Sequence, residues 1–175
     1  MSLIIWGVDP SLSATGIFNA NSGEAETIKT KLARGDYRLN DIAGRLDDLI
    51  AYWLGPSFFV LEDLPISARA AGKTGMAHGV IRATILDNGY EYITLPPATL
   101  KKAATGNGRA EKADMINGYA EAYPNIPIAD DNQADAAWLA ECGKAFLGVD
   151  HRLKCPEALD KYMDRVPMSL RRVAA

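Results

Sequence analysis

Leu3-Ile4-Ile5-Trp6-Gly7-Val8-Asp9-Pro10, followed by Ser11-Leu12-Ser13-Ala14-Thr15-Gly16, is the stretch whose reading decides the fold. Residues 3–8 form an apolar run suited to a buried strand, and the run delivers an aspartate to its end. Pro10 and the serines make a turn that leads at once into a second strand. A carboxylate left unpaired at the end of a buried strand costs several kcal/mol. Asp9 therefore asks for a partner.

Outward from this point, residues 15–20 and 25–31 complete three successive strands, with a turn at Asn21-Ser22-Gly23. Leu39, Ile42, Leu46, Leu49 and Ile50 recur at helical spacing and predict an amphipathic helix over 38–54, stopped by Gly55-Pro56. Phe58-Phe59-Val60-Leu61 reads as a strand buried on both faces, and it too ends on an acid, Glu62. Residues 63–72 read as a small-residue loop, 73–88 as a helix ending near Asn88-Gly89, and 91–95 as a fifth strand closed by Pro96-Pro97. Helices are expected over 98–104, 110–123 and 131–147. The polar segment from Gly148 is expected to wrap the domain or be partly disordered, giving one domain over 1–147 and a tail over 148–175. Three strands followed by alternating helix and strand imply an α/β fold, a mixed five-stranded sheet flanked by helices on both faces. That order resembles the ribonuclease H-like arrangement, in which the first strand lies centrally beside the fourth. Asp9 and Glu62 would then be neighbours.

A chain of 175 residues, 48% hydrophobic and 23% charged, fits one globular domain. No apolar stretch reaches the roughly 20 residues needed to span a bilayer. The N-terminus lacks the basic region and long apolar core of a secretory signal, so a cytoplasmic protein without membrane contact is expected. Cys142 and Cys155 are too few for a disulfide framework or a zinc site. The net charge of −3 argues mildly against a nucleic-acid partner, but its distribution does not. Between residues 66 and 112, Arg69, Lys73, Arg82, Lys101, Lys102, Arg109 and Lys112 face only Asp87, Glu91 and Glu111, a local net of +4. Phosphate binding depends on such local clusters.

Asp131 and Asp135 extend the acidic set. Four residues apart, they share one face of a helix, where like charges repel unless a cation lies between them. Phosphodiester hydrolysis needs an activated water and a stabilised leaving oxygen. Two magnesium ions about 4 Å apart supply both, and three or four carboxylates must surround them. Oxygen ligands without histidine suit magnesium, with manganese as a substitute, and no organic cofactor is called for. The bland alternatives are a turn-capping Asp9, a solvated Glu62, and helix-start charges at Asp130, Asp131 and Asp135. Ala71-Gly72-Lys73-Thr74 imitates the end of a phosphate-binding loop, but Ser67 stands where that motif needs glycine. Gly106-Asn107-Gly108 is a short turn that lets backbone approach a phosphate between Lys101-Lys102 and Arg109. His78 reads as a surface or internally satisfied helix residue, and Trp53 and Trp138 as core.

These residues carry a resemblance. Gly7-Val8-Asp9-Pro10 with Thr15-Gly16, Leu61-Glu62, the stretch from Lys101 to Lys112, and Gln133-Ala134-Asp135-Ala136-Ala137 are similar, in order, to the RuvC family of Holliday junction resolvases. The resemblance implies a homodimeric, magnesium-dependent endonuclease that nicks four-way junctions symmetrically; other branched DNA is a further expected substrate. It implies Asp9, Glu62 and Asp135 as metal ligands, with Lys101 and Lys112 beside the scissile phosphate. Arg69, Lys73, Lys102, Asn107 and Arg109 complete the expected DNA-binding set. The bacterial pattern carries two aspartates three apart in its last motif. Here Asn132 precedes Asp135 by three and Trp138 follows it by three, so the fourth ligand is assigned to Asp131, with Asp130 the other candidate. That divergence and the acidic balance suit a specialised, phage-type member. The alternatives are a ribonuclease H-like enzyme acting on RNA or RNA–DNA hybrids, an actin-like nucleotide-binding protein, which would need a longer chain, and a DNA-binding protein without chemistry. The dimer contact is expected on the apolar face of helix 38–54 or 73–88.

Overall fold

A computed structural model describes residues 2–64 and 71–171. Its elements follow the chain as β1 (Ile4–Asp9), β2 (Ala14–Asn19), β3 (Glu24–Lys29), α1 (Tyr37–Tyr52), β4 (Ser57–Glu62), α2 (Ala71–Asp87), β5 (Glu91–Leu95), α3 (Pro97–Thr105), α4 (Lys112–Ala122), α5 (Asp131–Phe146), a 3₁₀ stretch (Pro156–Arg165) and the short α6 (Met168–Arg171). The sheet order is β3-β2-β1-β4-β5. β1 pairs antiparallel with β2 and parallel with β4. Each expected strand and helix is present, with ends displaced by one or two residues, while most of the expected loop over 63–72 lies outside the described residues.

Alternation along the central strands divides the core into two layers. Trp6, Val8, Phe59 and Leu61 face α1 and α2, meeting Ile42, Leu46, Ile50, Ile81 and Ile85. Ile5, Phe58 and Val60 face α3, α4 and α5, meeting Leu100, Met115, Tyr119 and Trp138. Burial of each such side chain contributes about 1.5–3 kcal/mol. Helices thus cover both faces.

α5 lies unusually close to the sheet, and two glycines permit it. A Cβ built on Gly7 would sit 1.8 Å from the Ala136 carbonyl oxygen, and one on Gly16 would sit 2.0 Å from that of Asn132. No side chain fits at either position. The helix backbone therefore rests directly on β1 and β2, which brings the first turns of α5 over the end of β1.

The segment after α5 packs onto the α3–α5 layer through Leu153, Leu159, Tyr162 and Val166. Fully buried Glu141 on α5 ties it down, accepting from Tyr123 Oη at 2.7 Å, Lys144 Nζ at 2.6 Å and the Arg152 backbone N–H at 2.8 Å. The Cys155 N–H also donates to the Ala103 carbonyl of α3 at 3.0 Å. Both cysteines are free thiols.

Candidate active site

The parallel register sets Val8 beside Leu61, so Asp9 and Glu62 emerge side by side from neighbouring strands. The turn after Asp9 holds itself without that carboxylate. The Thr15 hydroxyl donates to the Ser11 carbonyl at 2.6 Å and accepts from the Ser11 N–H at 3.2 Å. The turn-capping reading of Asp9 is thereby set aside. Asp135 stands one helical turn after Asp131 on α5, above these strand ends. All four carboxylates are half-buried, keeping some surface open to solvent.

Their charges lie close enough to act on one another. Burial, then the charges of Asp135 and Asp131, push Asp9 up to about 7. Burial, then Asp9 and Asp135, push Glu62 up to about 8. Burial also pushes Asp135 up to about 6, against the lowering influence of Lys101 and with Asp131 adding to the rise. Among the described residues, no group of three His, Cys, Asp or Glu side chains is already gathered tightly enough to hold an ion. Coulombic coupling reaches farther than coordination, so the two observations agree: the acids share a field without forming a finished cage. The donor set is all hard oxygen, and its charged state is held back by burial and mutual repulsion. A hard divalent cation would relieve both, so the residues fit such an ion.

Asp130 plays a different part. Its carboxylate caps α5, accepting from the Gln133 backbone N–H at 3.0 Å and from the Thr27 hydroxyl at 2.8 Å. Burial raises its pKa, but these hydrogen bonds outweigh it and the net shift is downward. The helix-start reading holds for Asp130, while Asp131 is turned to the acidic cluster. Trp138 is fully buried, its indole N–H donating to the Met115 carbonyl at 2.9 Å. The position three after Asp135 belongs to the core.

Two lysines border the acids. Lys112, the first residue of α4, pairs its ammonium with the Asp131 carboxylate, and this hydrogen bond raises its pKa. Lys101, on α3, lowers the pKa of both Glu62 and Asp135. Lys102 points elsewhere, lining a surface cleft with Gly108, Glu157 and Lys161 of the 3₁₀ side. Gly106 ends α3 in the left-handed conformation at φ 82°, its N–H bonded to the Lys102 carbonyl. Asn107 Oδ1 accepts from the exposed Arg109 N–H at 3.0 Å. Lys73 is exposed on the first turn of α2, and Arg69 lies outside the described residues.

One contact was missed by the sequence reading. Asp63, next to Glu62, accepts from Arg82 Nη2 at 3.2 Å, and that nitrogen lies 3.4 Å from His78 Nδ1. His78 is 2% exposed and in contact with Arg82, which sets aside the surface reading in favour of the internally satisfied one, and burial, then the Arg82 charge, push its pKa down to about 4. Its place on the inner face of α2 was the available signal.

The sequence profile of the family described as crossover junction endodeoxyribonuclease RuvC matches residues 5–137. A relative of that name from Geobacter sp. (strain M21) is 29% identical over 167 residues, covering 87% of this chain and 98% of its own. Another from Nitratidesulfovibrio vulgaris (strain Hildenborough) is 32% identical over 123 residues, covering 65% of this chain and 74% of its own. Among solved structures, T. thermophilus RuvC in complex with a Holliday junction substrate superimposes with a TM-score of 0.65 at 20% identity, covering 79% of this chain and 91% of that one. Thermus thermophilus RuvC alone gives 0.67 at 19% identity, covering 83% and 97%. With the RuvC profile running from β1 through the start of α5, over the strand ends and helix turn that carry the acids, the chain belongs to the RuvC family of crossover junction endodeoxyribonucleases.

Proposed function

We propose that this chain is a structure-selective endodeoxyribonuclease that hydrolyses phosphodiester bonds in four-way DNA junctions, in the cytoplasm, at the acidic end of its sheet. The observation that carries the reading is the convergence of Asp9, Glu62 and Asp135 from three elements, with Asp131 beside them, in a RuvC-family chain. The family's chemistry depends on a divalent metal. Asp9, Glu62, Asp131 and Asp135 would hold magnesium, as two ions, and manganese would substitute. Bound there, the metal supplies a nucleophilic water and stabilises the departing oxygen.

The protein's own groups do the rest. The carboxylates must be ionised to work, and the rise in their pKa makes that state costly until counter-charge arrives. Lys112 holds Asp131 in place before substrate binds and lies where a phosphate would meet the acids, so it stabilises charge building on that phosphate. Lys101 does the same from the Glu62 side. Lys73, Lys102, Asn107 and Arg109, with Arg69, provide backbone contacts that position the DNA.

A junction with two related phosphates calls for a twofold enzyme, and we place the homodimer contact on α2. The apolar face of α1 is spent on the sheet through Ile42, Leu46 and Ile50. α2 still presents Met76 and Leu86, 40% and 56% exposed, beside Gly72 and Gly79, where an added Cβ would meet nothing within 4 Å among the described residues. Among the described residues, no helix is long and apolar enough to cross a membrane.

Labelled junction, fork, flap and RNA–DNA hybrid substrates, each with magnesium or with chelator, test the reading. Paired nicks in the junction are expected only with magnesium. Cleavage of the hybrid with the junction left intact would instead favour the RNA-directed alternative. Sedimentation should show a dimer that Gly79→Arg converts to monomer.

A further inference from the structure

A cavity of about 650 Å³ opens between the C-terminal turn of α1 and the β2–β3 hairpin. It lies at the end of the sheet opposite the carboxylates, since Asn19 on its lining pairs with Trp6, three residues before Asp9. Its size falls in the range of ordinary ligand sites.

Asn19 is the informative residue. It is 1% exposed, and its Oδ1 accepts the backbone N–H groups of Asn21 at 2.9 Å and Ser22 at 3.3 Å. These bonds fix the amide's orientation and leave Nδ2 a buried donor with no partner among the described residues. An aspartate would cap the same turn equally well. Asparagine adds only the orphan donor, whose burial costs about 1–3 kcal/mol. The described residues supply that donor no acceptor.

The remaining surroundings narrow the chemistry. Tyr52 and Trp53 meet edge to face with ring centroids 5.5 Å apart, and with Leu49 they offer an apolar wall. Arg45 is already neutralised by Glu26, with Nη2 to Oε2 at 2.7 Å. Glu24 and Asp48, both exposed, therefore leave the rim negative. A negative rim repels phosphate, so nucleic acid is not the occupant. A carbonyl acceptor, an apolar group and a cation are what an extended basic segment of protein supplies.

We propose that this cavity docks a basic, aliphatic segment of a partner protein. A peptide carbonyl takes the Asn19 Nδ2 donor, an aliphatic side chain lies against Tyr52, Trp53 and Leu49, and an arginine or lysine reaches Asp48 and Glu24. The site stays open while DNA occupies the far end of the sheet.

The test uses the full chain labelled with ¹⁵N and the capped peptide acetyl-Arg-Leu-Arg-amide, with acetyl-Glu-Leu-Glu-amide beside it. The basic peptide should shift the Asn19 side-chain amide and Trp53 indole resonances, saturating with a Kd of about 1 mM or tighter. The acidic peptide should not. Asp48→Lys, an exposed change, should weaken binding about tenfold or more and leave junction cleavage unaltered. Absence of these shifts, shifts confined to the neighbourhood of Asp9 and Glu62, or indifference to Asp48→Lys would each overturn the proposal. None of those results would bear on cleavage, so the two readings fail separately.

Discussion

Asp9→Asn should stabilise the metal-free protein while abolishing its cleavage. The carboxyl moves from the ordinary 3.8 to about 7 on folding, chiefly through burial and then the charges of Asp135 and Asp131. For a carboxylate whose folded pKa is raised, nothing is lost below the unfolded value. The destabilisation grows as pH climbs from 3.8 and is complete above the folded value. A shift of this size corresponds to about 4 kcal/mol at pH 8 and about 2 kcal/mol at pH 5. Part of the Glu62 shift is the Asp9 charge itself, so the two acids do not simply add. Asparagine keeps the shape and removes the charge. Urea titrations in chelator should therefore find the variant more stable than wild type at pH 8, with a gain about 2 kcal/mol smaller at pH 5. Magnesium should raise wild-type stability at pH 8 and raise that of the variant much less. Junction cleavage should disappear while binding in calcium survives, because affinity rests on the basic residues. A variant no more stable than wild type at pH 8, or one equally stabilised at both pH values, would refute the frustrated carboxylate cluster. Cleavage within about tenfold of wild type would refute the site itself.

Three further outcomes are expected. Lys112→Ala should slow single-turnover cleavage of prebound junction about 100-fold, whereas Lys102→Ala, on the other side of α3, should alter affinity and its salt dependence, with rates from quenched reactions deciding. Gly7→Ala should cost more than about 3 kcal/mol because the added methyl would meet the Ala136 carbonyl oxygen and Ala140 nitrogen at 1.8 Å and 2.6 Å; Gly44→Ala, on α1 with open space around it, should instead gain about 0.5–1 kcal/mol, both read by urea denaturation. Glu141→Ala should cost about 3–5 kcal/mol by leaving Lys144 uncompensated, and should speed proteolysis after Gly148 by releasing the Arg152 N–H that holds the segment.

The elements themselves were legible in the sequence because they rest on local rules. The apolar runs ending at Asp9 and Glu62, the 3.6-residue spacing from Leu39 to Ile50, and the stops at Gly55-Pro56 and Pro96-Pro97 each follow from burial and backbone constraints acting over a few residues. The strand order, with Asp9 beside Glu62, was also expected from the sequence, through the resemblance of three strands followed by alternating helix and strand to the ribonuclease H-like arrangement. The sequence assigned the fourth place to Asp131 with Asp130 as the other candidate, and only the tertiary structure gives the two their different surroundings. Asp130 and Asp131 are adjacent in the chain, but a helix N-cap turns one toward Thr27 and the Gln133 N–H and the other toward Lys112. It also decided the role of Gly7 and Gly16, whose missing side chains matter only because the backbone of α5 arrives from more than 100 residues away. The Asp63–Arg82–His78 contact and the orphan donor of Asn19 belong with them. A spacing rule reaches as far as one helical turn or one hairpin. Burial, desolvation and the mutual field of distant charges exist only once the sheet and helices have closed around them.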